Sequence, residues 1–414
     1  MKIIILSAVY ILLFLSVKLT AQERTISEEN VRQKIRSALF IPEKLPDPDV
    51  EFHGKFFPMK GVDAERISYT NRYGMKVPAI IYLPDPRPAG KVPGIIIVNG
   101  HGGDKYSWYS FYSGMLFAKG GAVVLTYDPV GEGERNINRK SGTRAHDLLQ
   151  DPPEMGQRLG GLMVTDVMQA VSCLSQRPEV DANRIAAMGY SMGSFVLALA
   201  GAVEKRLHAV VLAGGGNLDG LDGVWDKSKP MCQGIPYQSL SFLGDRPAAI
   251  YSLHASRGPL LIYNGLQDST VSVPMLGTWS FFDNLYKRTE YLRGSTDGLF
   301  EYAFTEGGHR PNFVTKPVIA WLEKQIDFPL WTESEIHAMP VTHISEWARI
   351  NAVDMDKLYV NEFREGGTRA LGSEIPALSR KDLSVFTEDE WERTKDKLIY
   401  EKWVEAARSE VLKK

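Results

Sequence analysis

The stretch Gly189-Tyr190-Ser191-Met192-Gly193 constrains this chain more than any other. Before it, Arg184-Ile185-Ala186-Ala187 reads as a short buried strand. After it, Ser194 to Ala200 is apolar and rich in helix formers. A strand, a Gly-x-Ser-x-Gly turn and a helix make an elbow that lifts the serine hydroxyl above a sheet edge. Glycines are required there because the turn leaves no room for a Cβ, and the serine is expected in a strained backbone conformation. Ser191 is therefore a candidate nucleophile, which needs a base and an acid from elsewhere in the chain.

The flanking pattern predicts the sheet that carries such an elbow. Arg66 to Tyr69 and Val77 to Leu83, joined by a turn at Arg72-Tyr73-Gly74, read as an antiparallel hairpin at a sheet edge. The unbroken apolar runs 94–98, 122–127, 209–212 and 260–263 suit strands covered on both faces, and 301–304 closes the series. Helices are predicted at 111–119, over 159–174 from apolar residues at 3–4 spacing, and from the N-cap Thr315 to Ile326. Such alternation implies an α/β fold with a mainly parallel sheet flanked by helices.

In a sheet of this kind the partners of the serine lie on loops at strand C-terminal ends. Asp268 follows the strand 260–263 and His309 follows the strand 301–304, so the chain order is Ser191, Asp268, His309. Asp219 or Asp222 is an alternative acid, and Glu306 stands too near His309 in sequence to approach it from the far side. For the oxyanion of a tetrahedral intermediate, the expected donors are the N–H groups of Met192 and of His101, with Gly102 as the alternative to His101. No second histidine or acid lies at metal spacing from His101, so neither a metal nor another cofactor is expected. Glu134 and Arg135 open at the same edge, either shaping a substrate pocket or bracing the edge as ion pairs. Tyr106, Trp108, Tyr109 and Tyr190 are candidate pocket aromatics, with packing beneath a cap as the alternative for the first three.

Length and charge set the remaining bounds. The 414 residues, 44% of them hydrophobic, suffice for one large α/β domain with appendages. Lys+Arg 48 against Asp+Glu 50, without a basic block, argues against nucleic-acid partners. Met1-Lys2 and the apolar run from Ile3 to Val17 predict an export signal at 1–21, cleaved near Ala21. That run is shorter than the ~20 residues of a membrane span. A periplasmic or extracellular location follows, with no membrane contact beyond the signal. After a lead-in at 22–60, the catalytic domain is expected at 61–330, with a cap insertion at about 214–257. Charged helices fill 331–414, with capping boxes at Thr332-x-x-Glu335 and Thr387-x-x-Glu390. A final helix carries Trp391, Leu398, Ile399, Trp403 and Leu412 on one side. Cys173 and Cys232 are the two cysteines, and Cys173 is expected as a buried free thiol.

Three segments carry a family resemblance: Asn99-Gly100-His101-Gly102-Gly103-Asp104-Lys105, Asp128-Pro129-Val130-Gly131-Glu132-Gly133-Glu134-Arg135, and Arg177-Pro178-Glu179-Val180-Asp181 leading into the elbow. Over roughly 61–328 the chain resembles the α/β-hydrolase superfamily, in its acetylxylan-esterase-like and dienelactone-hydrolase-like group. The resemblance implies a serine carboxylesterase acting on small-molecule or polysaccharide esters, often acetylated carbohydrate. Met192 stands where cephalosporin-C-deacetylase-type relatives carry Gln, Arg310 replaces the Glu that follows their histidine, and Ser191 replaces the cysteine of true dienelactone hydrolases. A prolyl-oligopeptidase-type peptidase, and a non-catalytic binding protein on the same fold, are the alternatives. Against the peptidase stands that only about 60 residues precede the domain, too few for that family's usual propeller, and against the binding protein stands the intact set of reactive residues.

Overall fold

The computed structural model describes residues 28–149, 153–215, 231–268, 270, 278–295, 300–306, 308–309, 315–353, 369–371 and 374–412. The export signal, Asp219, Asp222, Arg310 and residues 216–230 of the expected cap lie outside these residues.

After a helix α1 over 28–38, the chain forms β1 (Glu51–Met59), β2 (Val62–Thr70), β3 (Lys76–Pro84) and β4 (Val92–Val98). Then come α2 (Trp108–Lys119), β5 (Val123–Tyr127), α3 (Pro153–Ser175), β6 (Val180–Tyr190), α4 (Met192–Val203) and β7 (Ala209–Ala213). The helices α5 (Met231–Gln238) and α6 (Arg246–Ala255) precede β8 (Leu260–Gly265), α7 (Thr278–Arg293), β9 (Phe300–Thr305) and α8 (Lys316–Ile326). Among the described residues one nine-stranded sheet runs in the order β1-β2-β3-β5-β4-β6-β7-β8-β9. It is antiparallel from β1 to β5 and parallel from there to β9. This is the α/β-hydrolase arrangement, and its crossovers bring the C-terminal ends of β4 to β9 to one rim.

The predicted edge hairpin is β2–β3, but it is not the edge. β1, inside what reads as a lead-in, pairs outside it. β1 is mostly exposed or half-buried, so its sequence carries no apolar alternation to announce a strand. The central strands β4, β5, β7 and β8 are buried at every residue, as continuous apolar runs require. Of the expected cap, α5 packs on α3, while α6 packs between α4 and α7 against the sheet's flank.

The segment after α8 contains α9 (Glu333–Ala338), a small pair of β10 (Val341–His343) with β11 (Arg369–Leu371), and α10 (Ile344–Ile350). It ends in α11 (Arg380–Leu383), α12 (Glu388–Thr394) and α13 (Tyr400–Leu412). Both expected capping boxes form, at Thr332–Glu335 and Thr387–Glu390. The single last helix does not. A 3₁₀ turn at Lys395–Lys397 breaks it, so Trp391 joins the core on one side of the sheet and Trp403 the core on the other. Leu412 is exposed. Trp347 of α10 is fully buried against Trp108, Phe111 and Tyr112 of α2. The extension is thus built into both cores of the domain.

Candidate active site

β6 ends at Tyr190 and α4 begins at Met192, leaving Ser191 alone at the turn with φ 52° and ψ −117°. This is the strained left-handed region, and the Ser191 N–H donates to the Ala213 carbonyl of β7 at 2.9 Å to hold it there. The glycines are sterically required. A Cβ on Gly189 would sit 2.5 Å from the Gly193 carbonyl oxygen, and one on Gly193 would sit 2.1 Å from that of Val98. The tight turn aims the hydroxyl away from the sheet and leaves the N–H of Met192, first residue of α4, among the helix's unsatisfied donors.

The other two predicted residues meet it. Ser191 Oγ lies 2.8 Å from His309 Nε2, and His309 Nδ1 lies 3.0 and 3.1 Å from the Asp268 carboxylate oxygens. A carboxylate accepts, so Nδ1 carries the proton and Nε2 is free to take one from the serine. Asp268 is fixed from behind: its side chain is buried, and it accepts from the Thr270 N–H at 2.8 Å. Tyr190 packs beside this set, its ring 6.1 Å from that of His309 and 5.2 Å from that of Tyr109. The Tyr109 hydroxyl is 3.1 Å from the Gly100 N–H, bracing the loop that leaves β4. A cleft opens beside the elbow, lined in part by Asn99, Gly100, Gly102, Glu132, His146 and Met192.

Four expected pocket residues are placed elsewhere. Glu134 and Arg135 are fully buried and ion-paired, so they brace the edge and do not line a pocket. Lys105 Nζ binds Asp128 and, at 2.8 Å, Glu134; Arg135 binds Asp166. Burial works to lower the Lys105 pKa, but Asp128 and Glu134 outweigh it and hold the ammonium above its ordinary range. Glu134 also accepts from the Val385 and Phe386 N–H groups, at 2.9 and 3.0 Å. Trp108 belongs to the core against α10. The ring of Tyr106 is engaged by Lys105 at 4.0 Å and Arg380 at 3.8 Å.

Glu132, which the sequence did not single out, lines the cleft. It accepts from the N–H groups of Thr143 and Arg144 at 3.0 and 2.7 Å, yet burial pushes its carboxyl up to about 7. An acid raised in the folded state binds more protons than when unfolded, so its contribution weakens as pH rises between the unfolded value and 7. Glu132→Gln is therefore expected to gain on wild type by up to about 3 kcal/mol between pH 5 and pH 8. Urea denaturation of both proteins across that range checks it, and parallel curves would contradict it.

His101 was expected to have no ligand-type neighbours, and here the structure differs. Its Nε2 is 2.7 Å from Asp147 Oδ1, and its ring stacks on His146 at 5.2 Å. Cys232 Sγ donates to the same Asp147 oxygen at 3.1 Å. Cys173 and Cys232 are both free and buried. Sequence spacing could not reveal this group, because its members come from three separated segments.

Comparison with known proteins bears on the fold and the family. Residues 43–214 match the acetyl xylan esterase (AXE1) family model, and residues 153–329 match the prolyl oligopeptidase family model. "Uncharacterized protein PA2218" of Pseudomonas aeruginosa is 30% identical over 158 residues, covering 38% of each chain. "Hydrolase ORFZ" of Pyricularia oryzae is also 30% identical over 158 residues, 37% of this chain and 32% of that one. The chain thus spans only about a third of the length of the curated relatives it matches. Among solved structures, "Methylesterase BT1017" superposes with TM-score 0.59 at 17% identity, covering 95% of this chain and 77% of that one. Acetyl xylan esterase 1 from Thermoanaerobacterium sp. JW/SL YS485 gives TM-score 0.51 at 20% identity, over 73% and 94%. The shared sheet gives the chain the α/β-hydrolase fold, and the two family matches make it similar to acetyl xylan esterases over 43–214 and to prolyl oligopeptidases over 153–329.

Proposed function

We propose that the protein is a serine carboxylesterase acting on carbohydrate esters, acetyl groups first among them. The observation that carries this is the continuous contact from Ser191 Oγ through His309 to the buried Asp268. In this mechanism His309 Nε2 takes the serine proton as Oγ attacks the ester carbonyl. Asp268 holds the ring in the tautomer that can accept it and stabilises the imidazolium. The N–H groups of Met192 and His101 meet the oxyanion. The intermediate collapses to an acyl-serine as His309 protonates the departing alcohol. Water, deprotonated by the same ring, then releases the acid.

The names of similar structures, an acetyl xylan esterase and a methylesterase, support ester over amide chemistry. The prolyl oligopeptidase match over 153–329 favours a peptidase as the second reading. A panel of acetylated xylo-oligosaccharides, methyl esters of uronic acids, aryl acetates and proline-containing peptides separates the two. Ester cleavage with acetate release is expected; cleavage of the peptides alone would overturn the proposal. Export through the basic and apolar N-terminus is part of the same reading, and N-terminal sequencing of protein recovered outside the cytoplasm tests it.

A further inference from the structure

Four side chains with metal-binding atoms, none of them Ser191, His309 or Asp268, converge beside the loop that leaves β4. His101 comes from that loop, His146 and Asp147 from the 3₁₀ turn Ala145–Leu148, and Cys232 from the start of α5. One ligand atom from each lies within 4.8 Å of all the others, the one such group of three or more found among the described residues.

Hydrogen bonding explains three of the four. Asp147 Oδ1 accepts from His101 Nε2 at 2.7 Å and from Cys232 Sγ at 3.1 Å. It does not explain His146, which is 2% exposed. The His146 Nδ1 lies 3.2 Å from the Val130 carbonyl, which can only accept, so that nitrogen carries the ring proton. The lone pair is then on Nε2, which faces Asp147 Oδ1 at 3.7 Å and has no hydrogen-bond partner. Buried polar atoms are rarely left so. A proton on the backbone side and a bare nitrogen on the cluster side is the arrangement of a metal-ligating histidine.

We propose that His101, His146, Asp147 and Cys232 form a zinc site. Two imidazoles, a thiolate and a carboxylate are the donors that suit zinc and not magnesium or calcium. Bonds of about 2.0–2.3 Å place tetrahedral ligands about 3.3–3.7 Å apart. The separations of 3.1, 3.7 and 3.9 Å among these atoms need small adjustments only, and the 2.7 Å contact of His101 with Asp147 would open as the metal replaces its hydrogen bond. On binding, the Cys232 thiol gives its proton to solvent as the sulfur–zinc bond forms. The His101 ring proton moves from Nε2 to Nδ1, freeing the lone pair. Thiolate and carboxylate then neutralise the dication. Four protein ligands fill the coordination shell, so the zinc is structural. It fastens the loop containing His101, the 145–148 turn and α5 to one another. The inference does not depend on the proposed esterase activity.

The test uses the untagged full-length protein. Elemental analysis after purification without chelator is expected to give one zinc per chain. Chelator-stripped protein titrated with Co²⁺ is expected to show tetrahedral d–d bands and a thiolate-to-cobalt charge-transfer band. Cys232→Ser should abolish the charge-transfer band, while Cys173→Ser keeps it. His146→Gln should weaken cobalt binding by more than the ~10–100-fold lost when a ligand's outer hydrogen-bond partner is removed. Folded wild type that takes up neither zinc nor cobalt from excess metal would overturn the site. A charge-transfer band that survives Cys232→Ser would overturn it equally. Should both variants fail to fold, the wild-type and Cys173→Ser spectra still decide whether a buried thiolate other than Cys173 binds the metal.

Discussion

Ser191→Ala is expected to lower kcat on an aryl acetate by about 10⁶, the loss found when the nucleophile of a working serine triad is removed. The three side chains form one relay. Ser191 Oγ reaches His309 at 2.8 Å and His309 reaches Asp268 at 3.0 Å, so each group depends on the next. Groups that act as a unit fail as a unit. His309→Ala should therefore cost about as much as Ser191→Ala, and the double variant no more than either. Asp268→Asn should cost about 10⁴, because an amide can stabilise the wrong imidazole tautomer. Steady-state kinetics, with fluorophosphonate labelling of wild type and loss of label in Ser191→Ala, would establish the order. Turnover within tenfold of wild type in Ser191→Ala would remove the serine from the mechanism.

The second large effect concerns stability. Lys105→Met is expected to destabilise the fold by about 3–5 kcal/mol, since removing one member of a buried ion pair strands the other charge. Asp128 bears most of this. Its neighbour Glu134 keeps Arg139 and two backbone N–H groups, whereas Asp128 would face Glu134 with only backbone donors left. Urea unfolding measures the loss. Lys105→Met combined with Asp128→Leu should recover part of it, because replacing both partners by apolar groups is often close to neutral. A single variant within 1 kcal/mol of wild type, on the scale of an exposed pair, would show that the cluster does not hold these segments.

That cluster clarifies what the sequence revealed and what it concealed. The segments 99–105 and 128–135 point to a family, but neither tells what its charges hold together. In space they are two halves of one buried network, Lys105 from the first meeting Asp128 and Glu134 from the second. The positions of Ser191, Asp268 and His309 were legible because each lies at or within a few residues of a strand's C-terminal end, and a strand is a local signal. β1 was not legible because an exposed edge strand has no face to bury. The break at Lys395–Lys397 was not legible either: Trp391 and Trp403 fit one helical stripe, and only the two opposed cores show that they part. His146, Asp147 and Cys232 were concealed more deeply, since nothing in their spacing marks residues that meet only through tertiary packing.

The way the segment after α8 is divided bears on how the protein matures. The backbone N–H groups of Val385 and Phe386 and the indole N–H of Trp391 all donate to Glu134, and Trp347 closes the apolar face of α2. Until residues 344–407 leave the ribosome, the nascent α/β layer exposes two greasy surfaces and a half-coordinated carboxylate. Such surfaces are what chaperones recognise on a growing polypeptide.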